Sequence, residues 1–326
     1  MTELTLSRES WPLREVFTIS RGSKRQADVV VASLRAGDIT GYGECLPYAR
    51  YDESVESVAE QIASLESDLR NGLDRLTLQS RLPAGAARNA LDCALWDLEC
   101  KLYRQRIWQR LSVPAPHTLE TAYTLSLDTP EHMRQAAEKQ AHRPLLKLKL
   151  ADQHDLERVA AVRAGAPSAR LIVDANEGWD EALYTRLVPE LVSLGVTMIE
   201  QPMPAGKDEA LASLPRPIPI CADESCHDSH SLAALVGRYD MINIKLDKTG
   251  GLTEALRLRD EAIKHGLKIM VGCMVSTSLA MAPAFIVAQG ADVVDLDGPL
   301  LLQRDRDTGL EYQGSIINPP SAALWG

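Results

Sequence analysis

Apolar residues follow two different patterns along the chain. Near the start, Asp28-Val-Val-Val-Ala-Ser-Leu34 is a short β-rich run, and Asp38-Ile-Thr-Gly-Tyr-Gly-Glu44 supplies a turn and a returning strand, together a predicted hairpin. Gly41 and Gly43 have no helix behind them, so a plain hairpin fits better than a nucleotide-binding loop. Residues 54–69 and 84–102 then carry apolar positions at helical spacing. The second stretch has a face of small residues, Ala-Gly-Ala-Ala-Arg-Asn-Ala, which implies close packing on another element. Pro114-Ala-Pro-His117 marks a boundary. Beyond it the pattern is regular. Short apolar runs recur at 121–127, 145–150, 170–175, 196–201, 218–223, 241–246, 268–273 and 293–297. Most are separated by a stretch long enough for a helix, such as 155–164, 182–194 and 252–265. Near-continuous apolar strands alternating with helices indicate a parallel sheet covered on both faces. Eight units at a spacing of about 25 residues suit a (β/α)8-type barrel better than an open sheet. No full eighth helix follows Gly298, and Leu310-Glu-Tyr-Gln-Gly-Ser-Ile-Ile317 reads as a strand returning to the N-terminal region.

Composition narrows the class without naming a chemistry. The 326 residues would suit two average domains or one large barrel, and 45% hydrophobic with 25% charged residues is an ordinary globular mixture. A net charge of −10, with no long basic run, makes nucleic acid and anionic membrane surfaces poor partners. The longest apolar stretch, around Ala280–Ala288, contains Pro283 and is too short to span a bilayer. No secretory signal is visible at Met1-Thr-Glu-Leu-Thr5. Six cysteines without C-x-x-C spacing suggest reduced thiols in a cytoplasmic protein.

The chemistry lies at the strand ends, where barrel active sites form. These ends read Lys147-Leu-Lys149, Asp174-Ala-Asn176, Glu200-Gln-Pro202, Asp223-Glu-Ser225, Lys245-Leu-Asp-Lys248 and Asp295-Leu-Asp297. From Lys149, steps of 25, 26, 23 and 22 residues lead to Asp174, Glu200, Asp223 and Lys245, so each charge lies one unit on from the last. Asp174, Glu200 and Asp223 would direct three carboxylates to one spot, a hard oxygen set suited to Mg²⁺ rather than zinc. Lys149 precedes this trio and Lys245 follows it. A lysine beside a cation and another lysine is expected to have a lowered pKa and to act as a base. Lys147, two residues from Lys149, would face the same side and help to depress it and to steady negative charge. Two bases flanking one metal can remove a proton from one face of a carbon and return it on the other, with the metal stabilising the enediolate between. Each element alone has a blander explanation. K-x-K is commonly a solvated edge, a lone carboxylate can cap a helix, and Lys245 can be an ion-pair partner of Asp223. Their stepwise recurrence is what the bland explanations leave out. His227 and His230 fit no metal motif and read as solvated loop residues, while Cys221 and Cys226 read as buried small residues.

These motifs, with Ile199-Glu-Gln-Pro202, Ala222-Asp-Glu-Ser225 and Asn243-Ile-Lys-Leu-Asp-Lys-Thr-Gly-Gly251, resemble the enolase superfamily, muconate-lactonising subgroup. Gly43-Glu-Cys-Leu-Pro-Tyr48 and Pro83-Ala-Gly-Ala-Ala-Arg-Asn-Ala-Leu-Asp92 look like its capping domain. The likeness covers nearly the whole chain and is strongest to the bacterial dipeptide epimerases that interconvert L-Ala-D-Glu and L-Ala-L-Glu in murein peptide recycling. It implies an α/β fold, a (β/α)7β modified TIM barrel over residues 116–299, capped by an α+β domain built from 1–115 and the tail 300–326. It also implies one Mg²⁺ per subunit on Asp174, Glu200 and Asp223, with Lys149 and Lys245 as the acid/base pair, assisted by Lys147. Asp295 and Asp297 correspond to a D-x-D pair that receives the peptide's ammonium group; the alternative is that one of them pairs with Lys245. Asn176 is placed among the substrate-binding residues. In the family a basic residue of the cap loop meets the glutamate side chain, and Arg21, Lys24 and Arg25 are the candidates here. The expected partner is a small dipeptide, and a homo-oligomer stays open. Other activities of the subgroup are a dipeptide epimerase of different specificity, an N-acylamino acid racemase, an o-succinylbenzoate synthase or a cycloisomerase. Outside it stand a Schiff-base aldolase using Lys245 and a non-catalytic barrel that binds acidic peptides.

Overall fold

A computed structural model describes residues 1–326. The eight apolar runs become eight parallel strands: β5 (Tyr123–Leu125), β6 (Leu145–Lys149), β7 (Arg170–Asp174), β8 (Val196–Glu200), β9 (Ile220–Ala222), β10 (Met241–Ile244), β11 (Lys268–Gly272) and β12 (Val293–Asp295). Backbone pairing runs in sequence order from β5 to β12. The seam between the first and last is closed partly by side chains. Ala122 N–H donates to Val294 O at 2.8 Å, Leu296 N–H to Thr121 Oγ1 at 2.9 Å, and Thr124 N–H to Asp297 Oδ2 at 2.6 Å. Outer helices over Pro130–Lys139, Asp155–Gly165, Glu181–Ser193, Leu252–Lys264 and Ser278–Val287 cover the sheet, and four-residue turns replace them after β8 and β9. Several start on side-chain caps: Thr129 accepts from His132 N–H, Asp180 from Leu183 N–H and Thr277 from Leu279 N–H. After β12 only Gly298–Leu301 is helical, so the eighth helix is missing as expected. The architecture is a modified TIM barrel with a separate capping unit.

That unit is a three-stranded antiparallel sheet, β1 (Glu3–Ile19), β2 (Gly22–Ala36) and β3 (Ile39–Cys45), backed by the helix Ala86–Tyr103. β2 and β3 are the expected hairpin. The long β1 was not legible, because Leu13 is its only buried residue and charged positions interrupt any alternation. The glycine pair on β3 has a packing role. A Cβ at Gly41 would lie 2.4 Å from Ala94 O, and one at Gly43 would lie 2.1 Å from Ala90 O, so the alanine-rich helix sits directly on the strand. The strand expected over 310–317 forms a small hairpin, β13 (Tyr312–Gln313) and β14 (Ile316–Ile317). It pairs with β4 (Leu119–Glu120) beside the barrel, not with the N-terminal sheet. Other tail residues make the contacts with N-terminal elements: Arg306 to Glu44 and Glu9, and Trp325 Nε1 to Cys93 O.

Candidate active site

Alternation along the barrel strands stacks two layers inside it. Ala122, Leu145, Ile172, Met198, Cys221, Met241 and Met270 form a buried apolar cluster. Two residues further along the same strands stand Thr124, Lys147, Asp174, Glu200, Asp223, Asn243 and Gly272, on the way to the rim. Above them a cavity of about 440 Å³ opens between barrel and cap. Lys147, Lys149, Asn176, Asp223, Lys245, Asp295 and Asp297 line it from the barrel, and Arg21, Lys24, Tyr48 and Tyr51 from the cap.

Asp174, Glu200 and Asp223 are all buried and present carboxylate oxygens within 4.8 Å of one another. Asp174 Oδ2 accepts from Lys149 Nζ at 2.6 Å, and Asp223 Oδ2 from Lys245 Nζ at 2.6 Å. Lys149 and Lys245 therefore flank the triad from the strands on either side of it. Lys147 lies within 2.7 Å of both Glu200 Oε2 and Asp295 Oδ2, and 3.5 Å from Asp174 Oδ2. Burial pushes the Glu200 carboxyl up, the neighbouring Asp174 carboxylate adds to it, and the group titrates at about 7. Its Oε2, though close to Lys147, makes no hydrogen bond. An all-oxygen, buried, mutually repelling trio fits a hard cation such as Mg²⁺.

Without a cation, Lys245 and Lys147 are held in the charged form. Burial pulls Lys245 down, but the carboxylates of Asp223 and Glu200 outweigh it and hold the ammonium well above its usual range. Lys147 behaves alike, with Asp295, Glu200 and Asp174 outweighing burial. In the protein alone, without a cation to offset them, the carboxylates dominate: Asp223 touches Lys245, and Glu200 and Asp295 touch Lys147.

Asp295 and Asp297 both face the cavity, but each has one oxygen engaged. Asp295 Oδ2 is paired with Lys147, not Lys245, and its Oδ1 is buried without a partner. Asp297 Oδ2 accepts from Thr124 N–H; burial and the nearby Asp295 push its carboxyl up to about 7.

The three basic candidates separate. Arg21 closes the tip of the β1–β2 hairpin and is neutralised: it donates to Glu224 Oε1 at 2.7 Å, Glu177 Oε2 at 3.1 Å and Asn176 O at 2.8 Å. Lys24 stands on β2, lines the cavity and lies 4.8 Å from the centroid of the Tyr48 ring, with no carboxylate partner. Arg25, next on the strand, is exposed and does not line the cavity. Asn176 N–H donates to Asp174 Oδ1 at 2.9 Å. His230 is exposed, but His227 is half-buried, edge-on to Tyr51 with ring centroids 4.8 Å apart. Cys221 and Cys226 are buried.

Sequence reasoning passed over four polar residues. Asn243 Nδ2 donates to Glu200 Oε1 at 2.8 Å, and Lys248 Nζ to Asp223 Oδ1 at 2.6 Å. Gln201 Oε1 accepts from Asp223 N–H at 2.9 Å, and Glu224 holds Arg21. Asn243 was detectable: it lies two residues before Lys245 in an apolar strand and so faces inward. The other three lie just past strand ends, Lys248 in the one-turn helix Leu246–Thr249, where no periodicity reports direction.

The chain matches two family models: the mandelate racemase / muconate lactonizing enzyme N-terminal domain over residues 1–111, and the enolase C-terminal domain-like model over residues 128–321. It is 48% identical over 314 residues to the L-Ala-D/L-Glu epimerase of Escherichia coli (strain K12), covering 96% of this chain and 98% of that protein. It is 45% identical over 300 residues to the N-acetyl-D-glutamate racemase of a Pseudoalteromonas species, covering 91% and 95%. A solved enolase family member from Agrobacterium tumefaciens, with homology to dipeptide epimerases and with bound sodium and L-Ala-L-Glu, superposes with a TM-score of 0.98. It is 51% identical to this chain and covers all of both.

Proposed function

The chain belongs to the mandelate racemase / muconate lactonizing enzyme family of the enolase superfamily and is an isomerase; on that premise we propose that it is a Mg²⁺-dependent dipeptide epimerase interconverting L-Ala-D-Glu and L-Ala-L-Glu. The observation that carries the substrate class is the pair Asp295 and Asp297, buried in the same cavity as the carboxylate triad. A free ammonium is the group that such a pair would receive, and a dipeptide brings one.

The proton transfer is the work of Lys149 and Lys245, which approach from opposite flanks of the triad. One takes the α-proton of the C-terminal residue and the other delivers a proton to the opposite face. Asp174, Glu200 and Asp223 would hold the cation, which when bound supplies Lewis-acid stabilisation of the charge that builds on the substrate carboxylate. Lys147 links Glu200 and Asp295 and so fixes the triad relative to the ammonium-binding wall. Lys24 is the side chain that meets the glutamate carboxylate, because Arg21 is already neutralised by Glu224 and Glu177. Such dipeptides arise from murein, so the reaction belongs to cell-wall peptide recycling in the cytoplasm, in keeping with six unbridged cysteines.

A second reading, racemisation of an N-acylated glutamate, draws on the Pseudoalteromonas relative and on one oxygen of each of Asp295 and Asp297 being engaged already. Incubation in D₂O with Mg²⁺, followed by NMR, separates the two. Loss of the α-proton with interconversion of L-Ala-D-Glu and L-Ala-L-Glu, faster than with N-acetyl-D-glutamate, is the expected result. Exchange in the N-acyl compound alone would establish the second reading, and exchange in neither would refute both.

A further inference from the structure

The three triad carboxylates share a feature beyond their convergence. Each has one oxygen tied to a donor fixed in the protein frame: Asp174 Oδ1 to Asn176 N–H at 2.9 Å, Glu200 Oε1 to Asn243 Nδ2 at 2.8 Å, and Asp223 Oδ1 to Lys248 Nζ at 2.6 Å. The second oxygen of each faces a lysine of the barrel interior: Asp174 Oδ2 faces Lys149, Glu200 Oε2 faces Lys147, and Asp223 Oδ2 faces Lys245.

The tethers are themselves immobilised. The Lys248 side chain is 0% exposed and fills its donor capacity on Asp223 O at 2.5 Å, Asp223 Oδ1 at 2.6 Å and Asn243 O at 2.9 Å. The Asn243 side chain occupies space that Gly272 leaves open, where a Cβ would lie 2.7 Å from its Oδ1. The Asn176 N–H is held by an Asx turn on Asp174, with Asn176 at φ 45°. Lys248 and Asn243 thus join Asp223 and Glu200 through one short segment, β10 and the turn after it.

Resting on the divalent-cation reading above, we infer that Lys248 and Asn243 are positioning residues that restrict the triad carboxylates to one oxygen each toward a cation, and so select Mg²⁺ against Ca²⁺. Mg²⁺ demands a compact octahedron, and three single oxygens leave the remaining positions to substrate and water. Ca²⁺ takes more oxygens at longer range and gains from carboxylates that bind through both. Freeing the tethered oxygen of Asp223 or Glu200 therefore favours the larger ion. Because the two ions carry the same charge, loss of the Lys248 charge changes both affinities alike, and their ratio isolates the geometry. A purely structural role for Lys248 would lower stability without moving that ratio.

The test is calorimetric titration of metal-stripped protein with Mg²⁺ alone and with Ca²⁺ alone, for wild type, Lys248→Met and Asn243→Leu, with folding checked by circular dichroism. The Ca²⁺-to-Mg²⁺ ratio of Kd values is expected to fall by about tenfold in each folded variant, the lower end of the effect that losing a residue that orients a metal ligand has on metal affinity. An unchanged ratio overturns the inference. Infrared difference spectra of the wild type, Mg²⁺-loaded minus stripped, are expected to show one-oxygen carboxylate binding; a two-oxygen signature overturns it whether or not a variant folds. If the wild type binds neither ion, or if Asp223→Asn binds both as tightly as the wild type does, the divalent-cation reading itself fails.

Discussion

Two layers of the barrel interior, two residues apart on the same strands, have opposite chemistry. The lower one, with Leu145, Ile172, Met198, Met241 and Met270, is sealed and apolar. The upper one, with Lys147, Asp174, Glu200, Asp223 and Asn243, is equally buried but polar. Strand geometry separates them by only about 7 Å. Buried charge is tolerated there because nearly every group is paired: Lys147, Lys149, Lys245 and Lys248 each meet a carboxylate within 2.7 Å. The pairing is incomplete at Glu200 Oε2 and Asp295 Oδ1, both buried without a hydrogen bond. The lower layer is a wall that fixes strand positions; the upper layer holds charge in reserve for a cation and a substrate.

The largest expected effects break the upper layer chemically. Lys149→Ala and Lys245→Ala should each reduce epimerisation by about 10²–10⁴-fold, as loss of a general acid/base does. Each variant retains at most α-proton exchange from one isomer, read by NMR in D₂O. Retained turnover in either would remove the two-base mechanism. The lower layer should respond in the opposite way. Ile172→Ala should cost about 2–5 kcal/mol of stability in denaturant titrations, as a cavity in a packed core does, with little change in kcat. A large loss of kcat at unchanged stability would show that the wall takes part in the chemistry.

A smaller effect tests the cap against the rim. Lys24→Met should raise KM for L-Ala-D-Glu by about 10–100-fold, the value of one charge-assisted hydrogen bond, and change a leucine-containing dipeptide far less. Arg25→Met, exposed and off the cavity, should leave both alone. The smallest effect concerns buried acids outside the two layers. Burial pushes Asp247 up to about 7, beneath hydrogen bonds from Asn89 Nδ2 and Leu46 N–H. A raised carboxyl binds its proton more tightly folded than unfolded, so its contribution is present at acidic pH and lost as pH rises through about 7. Asp247→Asn keeps the acceptor oxygen. Its Tm advantage over wild type should therefore grow between pH 5.5 and pH 8, reaching about 2–4 °C. A constant difference would mean that Asp247 is ionised throughout.

The sequence by itself determined the barrel. Eight apolar runs at regular spacing have no other economical arrangement, and the charges at the ends of six of them must lie at the rim because strand direction is fixed. Asp174, Glu200, Asp223, Lys149 and Lys245 were legible for that reason. β1 was not, since its apolar residues Leu4, Leu6, Trp11, Leu13 and Phe17 are broken up by charged stretches and only Leu13 is fully buried, and the partner of the tail hairpin was not, since two-residue strands can pair with any free edge. Only the tertiary structure decided which groups touch. Lys147 pairs with Asp295, Arg21 is silenced by Glu224, and Lys248 and Asn243 tether the triad, all through contacts between residues far apart in the chain. Periodicity gives the face on which a side chain stands. The partner it meets, and therefore its charge state and role, depends on barrel closure and on where the cap comes down.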